Sequence, residues 1–206
     1  MPEQVGRIRL IGSAKKRTQN SMPKFEATYD VESKTYAAIF HTAWHLLDMA
    51  ERHELGRLLN LQAATVFFAF TFEAYLNHVG AEELPFWEEI ERISYMQKLM
   101  VLSKHLGFAK DLSKPPLQTI VQLFKLRDAL AHGRTQKLTI KTTSKSHPRH
   151  DAALCLLPLE QLTPETVRRY HDDVQAAVEL INSARGSPDK LLWNEGSRSG
   201  KIGTIL

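Results

Sequence analysis

The chain has 206 residues, of which 43% are hydrophobic and 24% are charged, and its formal net charge is +4. These values suit one domain with a real core and exclude collagen-like, low-complexity and disulfide-rich proteins. Cys155 is the only cysteine, which excludes an internal disulfide or a cysteine-based zinc site. No secretory signal begins the chain, and the apolar run 63–72 is too short to span a bilayer. We therefore expect a soluble, cytoplasmic protein without membrane contact.

Basic residues are concentrated in one region of the sequence. Between Lys125 and Arg149 there are seven Lys or Arg residues and a single carboxylate, whereas residues 82–92 contain five Glu and one Arg. A local excess of positive charge is typical of proteins that bind a polyanion such as nucleic acid. A solvated polar loop would have the same composition, so charge alone leaves both interpretations open.

The first half of the chain predicts a basic arm followed by helices. Residues 1–30 mix Gly, Ser, Lys and Arg, which indicates an extended arm with at most one short strand. From about Val31 to Asn60, apolar residues recur at spacings of three and four, as in an amphipathic helix. Residues 61–79 are apolar on almost every side until Glu73, which predicts the central helix of a bundle.

Three further helices are predicted from their start and stop signals. One begins at Pro85 and runs to about Leu106, with Gly107 ending it. The next follows Pro116 and ends at Gly133, and we call it the motif helix. A last helix has Thr163 as its N-cap and continues to Gly186.

The remaining segments complete the predicted organisation. Two period-two runs joined by a Pro-containing stretch predict a β-hairpin at about 136–160, and residues 186–206 are expected to form a loose tail. The chain thus divides into an arm (1–30), a helical domain (31–185) with the hairpin inserted, and a tail (186–206). The predicted fold class is all-α, a bundle of four to five helices with extended termini.

One residue of the motif helix does not fit an amphipathic pattern. Stepping about 100° per residue places Arg127 in the middle of the apolar stripe, which is formed by Ile120, Leu123, Phe124, Leu130 and Ala131. A charge buried in such a stripe costs on the order of several kcal/mol unless it is paired or used. Asp128 and His132 lie one turn apart on the flank of the stripe. These three residues are the first candidates for a functional site.

A structural explanation of the same residues is also available. Arg127 can form a buried ion pair with Glu73 or with Asp128. His132 followed by Gly133 is a common way for a helix to end, with no function implied. The other histidines, including His171, are expected in loops or on solvated helix faces.

The segment Arg127-Asp128-Ala129-Leu130-Ala131-His132 resembles the Arg-x4-6-His signature of the HEPN superfamily, and residues 69–77 are similar to an earlier helix of several HEPN groups. The resemblance covers about residues 31–185. It implies a helical bundle that acts as a dimeric, metal-independent endoribonuclease, often a toxin or defence effector with an antitoxin partner. Many members keep the fold without cleavage. In one branch a Tyr shortly after the motif His is modified, but here Gly133-Arg134-Thr135 follows.

The chemistry of these side chains agrees with what the resemblance implies. Cleaving RNA without metal requires a base for the 2′-OH, an acid for the leaving oxygen and a cation for the phosphorane. His132 suits the proton transfers and Arg127 suits the phosphate, with Asp128 as a support. Because one motif supplies only one histidine, a two-fold dimer that brings two motifs together is expected. No metal and no other cofactor is predicted.

The basic residues near the motif are the predicted RNA contacts, namely Lys125, Arg134 and Lys137. Two functional hypotheses follow. The first is a homodimeric ribonuclease of a toxin–antitoxin or phage-defence system. The second is a non-catalytic HEPN-like module that binds RNA or a partner protein through the same cleft.

Overall fold

The computed structural model describes residues 24–133, 162–186, 192–194 and 196–205. The chain divides into two compact units, of which the larger comprises Glu32–Ser197 and the smaller combines residues 1–31 with 198–206. The described part of the larger unit contains α1 (Thr35–Arg52), α2 (Arg57–Glu83), α3 (Trp87–Ile90), α4 (Tyr95–Leu106), α5 (Leu117–Ala131) and α6 (Pro164–Arg185). The described part of the smaller unit contains β1 (Lys24–Val31) and β2 (Arg198–Ile205). The predicted helical class is confirmed.

Helix α2 is the centre of the larger unit and packs against each of the other five described helices. It is apolar on nearly all sides, as predicted for residues 61–79, but it extends further in both directions. Large aromatic side chains are buried in this core together with aliphatic ones, and their burial stabilises the fold. The fully buried aromatic residues are Tyr36, Phe40, Phe68, Phe72, Tyr75 and Phe124.

The helix predicted from Pro85 to Leu106 is wrong, because the segment forms two helices. Helix α3 is only four residues long, and α4 starts again at Tyr95. Ser94 caps α4 by accepting from the backbone N–H of Gln97, while the Gln97 side chain accepts from the Ser94 backbone N–H. This reciprocal cap gives hydrogen-bond partners to backbone N–H groups that a helix start would otherwise leave unpaired. It therefore favours a new helix at this point over the continuation of α3.

The predicted ends of the later helices agree with the structure. Thr163 caps α6 by accepting from the backbone N–H of Thr166, and Pro164 occupies the first turn. Gly107 and Gly186 follow α4 and α6 with φ angles of 77° and 66°, in the left-handed region that favours glycine. The motif helix α5 ends at Ala131, with His132 as its C-cap.

The C-terminal segment differs from the predicted loose tail. Strand β2 pairs antiparallel with β1, so that Lys24 is opposite Ile205 and Val31 is opposite Arg198. The strand within the predicted N-terminal arm is therefore β1. The hairpin predicted at about 136–160 lies outside the described residues.

The position of His171 also differs from the prediction. It was expected on a solvated helix face, but it is buried and its ring stacks on Phe40, with the ring centroids 5.0 Å apart. Its Nδ1 lies 2.7 Å from a carboxylate oxygen of Asp172. His147 and His150 lie outside the described residues. Among the residues described, no helix is both long and apolar enough to cross a membrane.

The contact between α2 and α3 yields a stability prediction. A Cβ atom on Gly80 would lie 2.2 Å from the buried indole ring of Trp87. We expect Gly80→Ala to lower the free energy of unfolding by about 2 kcal/mol, because overpacking a filled core outweighs the higher helix propensity of alanine. Urea unfolding of the purified protein measures this change.

The matched control is the same substitution in a Trp87→Leu background, where the smaller side chain leaves room for the new methyl group. There Gly80→Ala should be neutral or stabilising. An equal loss in both backgrounds would show that the clash with the indole is not the cause.

Candidate functional site

Glu73 of α2 joins three helices through two ion pairs. Its Oε1 lies 3.2 Å from Lys98 Nζ on α4, and its Oε2 lies 3.3 Å from Arg127 Nη2 on α5. The Lys98 side chain is only 4% exposed, and the Arg127 side chain is 22% exposed. Glu73 is one of the two carboxylates, with Asp128, that the sequence offered as a partner for Arg127. Two charges on adjacent helices therefore share one carboxylate, which fixes the position of α5 relative to α2.

Arg127 also pairs with its neighbour in the sequence. Its Nη1 lies 3.2 Å from Asp128 Oδ1. The guanidinium carbon lies 5.0 Å from the centre of the Phe124 ring, at the range of a cation–π contact. The Nε–H group is buried without a hydrogen-bond partner in the described residues. Arg127 is thus held by two carboxylates and an aromatic face at once.

Tyr95 of α4 completes the surroundings of Arg127. Its ring stacks on Phe124, with the two ring planes inclined by 11°. Burial raises the pKa of the Tyr95 phenol above its ordinary value, and the negative charge of Asp128 raises it further, whereas Arg127 lowers it. The phenol is therefore held in its neutral form close to the charged cluster.

His132 lies apart from this cluster, at the exposed end of α5. Its backbone N–H donates to the Asp128 carbonyl at 2.9 Å, which closes the last turn. Its ring has no hydrogen bond or ion pair within the described chain, and Asp128 pairs with Arg127 rather than with this imidazole. On a regular helix, five residues separate the Arg127 and His132 directions by about 140°. Arg127 lies within α5, whereas His132 is the residue that caps its C-terminal end.

Lys125 is the one predicted RNA contact that the structure describes. It is exposed and lies beside a cavity of about 470 Å³ between α5 and the start of α6. We call this cavity the α5–α6 groove, and the polar and aromatic residues that line it are Gln122, Lys125, Thr166, Arg169 and Tyr170. Arg134 and Lys137 lie outside the described residues.

Lys98 is a member of the cluster that the sequence analysis missed, although a signal was present. Tyr95, Leu99 and Leu102 are spaced as the apolar stripe of α4, and Lys98 falls inside that stripe. The test that singled out Arg127, a cation within an apolar stripe, also identifies Lys98. Two such cations on neighbouring helices indicate a shared, partly buried carboxylate.

The described residues contain no group of three or more His, Cys, Asp or Glu side chains placed to hold a metal ion. Comparisons of the chain with protein-family models, with curated proteins and with solved structures give no match. The resemblance to the HEPN superfamily therefore depends on the motif residues and on their placement.

Removing the shared carboxylate should destabilise the protein. Glu73→Gln leaves Lys98 and Arg127 without their common partner, so we expect the free energy of unfolding to fall by about 2 kcal/mol. This value lies below that of a fully buried pair because Glu73 retains partial exposure. Urea unfolding measures it, with Glu91→Gln as a control on an exposed carboxylate that has no ion pair in the described chain. Equal stability of the two variants would contradict the assignment.

The raised pKa of Tyr95 leads to a prediction about the stability of the protein at high pH. Because the folded protein raises the phenol pKa above the unfolded value of 10.0, the stabilisation is complete below pH ~10 and is lost as the pH rises through the folded pKa. Tyr95→Phe cannot ionise, so it should lose less stability than the wild type between about pH 9 and pH 11. Burial also raises the pKa of Tyr170, and Tyr170→Phe should give a second, independent reduction. Identical pH profiles for wild type and Tyr95→Phe would refute the expected shift.

Proposed function

We propose that this protein is a HEPN-like endoribonuclease that cleaves RNA without a metal ion, as the toxin of a toxin–antitoxin or phage-defence system. The proposal places the reaction at the C-terminal end of α5. An RNA strand is the substrate, and an antitoxin protein is the expected partner.

The observation that supports this proposal best is the different environment of the two motif residues. Arg127 is anchored by Glu73 and Asp128, whereas the His132 ring is exposed to solvent at the end of the same helix. A phosphate-binding cation benefits from a fixed position, since less conformational entropy is lost when the substrate binds. A proton-transferring histidine must instead be able to reach the substrate.

Arg127 keeps donors for a phosphate despite its two ion pairs. A guanidinium has five N–H groups, two on each Nη and one on Nε. Glu73 and Asp128 contact different Nη atoms, so each Nη retains a second N–H group. These two groups can stabilise the negative charge that develops on the phosphorane.

The proposed reaction uses one imidazole as a proton acceptor and a second imidazole as a proton donor. The imidazole of His132 removes the proton of a 2′-OH group, and the 2′-oxygen then attacks the adjacent phosphorus. A bond from the 2′-oxygen to phosphorus forms while the bond from phosphorus to the 5′-oxygen breaks. A second imidazole donates a proton to the departing 5′-oxygen. The products are a 2′,3′-cyclic phosphate and a free 5′-hydroxyl.

A dimer supplies the second imidazole. Each chain offers one motif histidine, and two-fold symmetry brings two identical helix ends together when the interface includes the end of α5. Each protomer then contributes one histidine and one arginine to a shared cleft. The proton acceptor and the proton donor are in this way His132 residues of different chains.

A second candidate is a HEPN-like module that binds RNA or a protein without cleavage. It is favoured by the pairing of the charges, since Lys98 and Arg127 are matched by Glu73 and Asp128. A neutral cluster attracts a phosphate less than an unpaired arginine does. Under this hypothesis the four charges serve to fix three helices.

Cleavage assays distinguish the two candidates. In excess EDTA the purified wild type should cleave single-stranded RNA and leave 2′,3′-cyclic phosphate ends. His132→Ala and Arg127→Ala should lower the rate at least about 100-fold, which is the usual effect of removing a general base or a transition-state donor. Gel analysis and phosphatase sensitivity of the new ends provide the measurement.

Two variants serve as matched controls. His105→Ala removes an exposed histidine from the last turn of α4, and Arg92→Ala removes an exposed arginine between α3 and α4. Both should keep wild-type activity and stability. If the folded wild-type dimer leaves diverse RNAs intact but still binds them in a salt-dependent way, the nuclease proposal is rejected and the second candidate is supported.

A further inference from the structure

The α5–α6 groove has the lining of a binding site rather than of a packing defect. Its volume of about 470 Å³ lies within the roughly 300–1,000 Å³ of typical ligand sites. Gln122 and Lys125 come from α5, and Thr166, Arg169 and Tyr170 come from α6. The groove is therefore lined by amide, hydroxyl and cationic groups together with apolar and aromatic side chains.

The charge of the groove is one-sided. None of the described residues that line it is acidic, while Lys125 and Arg169 are both cationic. Neither cation forms an ion pair with any described residue. In contrast, Arg127, Arg168 and Arg185 are each held by carboxylates. Two cations beside one cavity that have no counter-charge among the described residues favour an anionic ligand.

The apolar part of the groove indicates an anion that also has an apolar or aromatic group. Leu126 lies on the groove surface and Tyr170 forms part of its wall, with the Arg169 guanidinium carbon 5.9 Å from the tyrosine ring centre. A simple inorganic anion does not use such a surface. A nucleotide uses both parts, since its base packs on apolar and aromatic groups while its phosphate binds cations.

The groove also has a defined position relative to the motif. Lys125 and His132 are seven residues apart on α5, which places them within about 20° of the same side and about 10 Å apart along the axis. That spacing corresponds to about three nucleotides of a stacked strand. A single strand lying along this side of α5 would therefore reach both the groove and the histidine.

From these observations we propose that the α5–α6 groove binds one nucleotide of a single-stranded RNA, with its phosphate between Lys125 and Arg169 and its base against Leu126 and Tyr170. The course of the strand to His132 depends on the proposed ribonuclease function. The groove itself does not, because nucleotide binding there requires no cleavage.

The test measures binding separately from cleavage. The full-length His132→Ala protein is titrated into a fluorescently labelled 12-nucleotide RNA with 2′-O-methyl groups, which cannot form a cyclic phosphate. Lys125→Glu and Arg169→Glu, each added to this protein, should weaken binding at least about tenfold by fluorescence anisotropy. Arg92→Glu and Lys104→Glu make the same change of charge at exposed positions away from the groove and should change binding by less than about threefold.

Salt dependence identifies the phosphate contact. Lys125→Gln should reduce the slope of log affinity against log salt by about one, and Lys104→Gln should leave it unchanged. Competition by a mononucleotide with a 5′-phosphate but not by its nucleoside would show that the groove takes one phosphorylated unit. Competition by inorganic phosphate that equals that of the mononucleotide would exclude a role for the base.

The outcomes separate this inference from the ribonuclease proposal. Equal weakening by groove and control variants overturns the groove as a nucleotide site, even if the wild type cleaves RNA. Selective weakening by the groove variants supports the site, even if no cleavage is found. Circular dichroism melting of each variant confirms that losses of binding are not losses of fold.

Discussion

The carboxylate of Glu73 anchors the motif helix α5 to the core of the bundle. It lies between Lys98 and Arg127, two cations that occupy apolar stripes of different helices. Burying either cation without a partner would be unfavourable, but pairing both of them with one carboxylate offsets this cost. The helix that contains the motif is thereby fixed to α2, the centre of the bundle, at one defined rotation. That rotation decides which of its side chains face solvent.

This rotation gives α5 two sides with different surroundings. One side holds Arg127 against Glu73 and Phe124, in partly buried surroundings that fix the guanidinium. Lys125 points to the groove beside α6, and His132 ends the helix in solvent. A helix that is anchored on one side and basic on the other can bind a strand without losing its own position. The same rigidity suits a catalytic site and a binding module, and the difference between them depends on the chemistry of His132.

The parts of this arrangement that depend on local signals are predictable from the sequence. The caps of α6 at Thr163 and Gly186, the central position of α2 and the pairing of Glu73 with Arg127 follow from residue type and spacing. The break before α4 was missed because the apolar spacing continues across Ser94, although the cap signal was present. The pairing of β1 with β2 joins the two ends of the chain, and no local pattern specifies a partner so distant in the sequence. The burial of His171 was missed for a related reason, since Phe40 comes from α1.

The proposed reaction requires two copies of His132 to act together in one shared cleft. Mixing wild-type and His132→Ala chains under conditions that exchange subunits tests this requirement, with the RNA cleavage rate measured at constant total protein. If both histidines of a dimer are required, hybrid dimers are inactive, and an equimolar mixture keeps about a quarter of the wild-type rate. A rate of about one half, equal to simple dilution with an inert protein, would contradict the shared site.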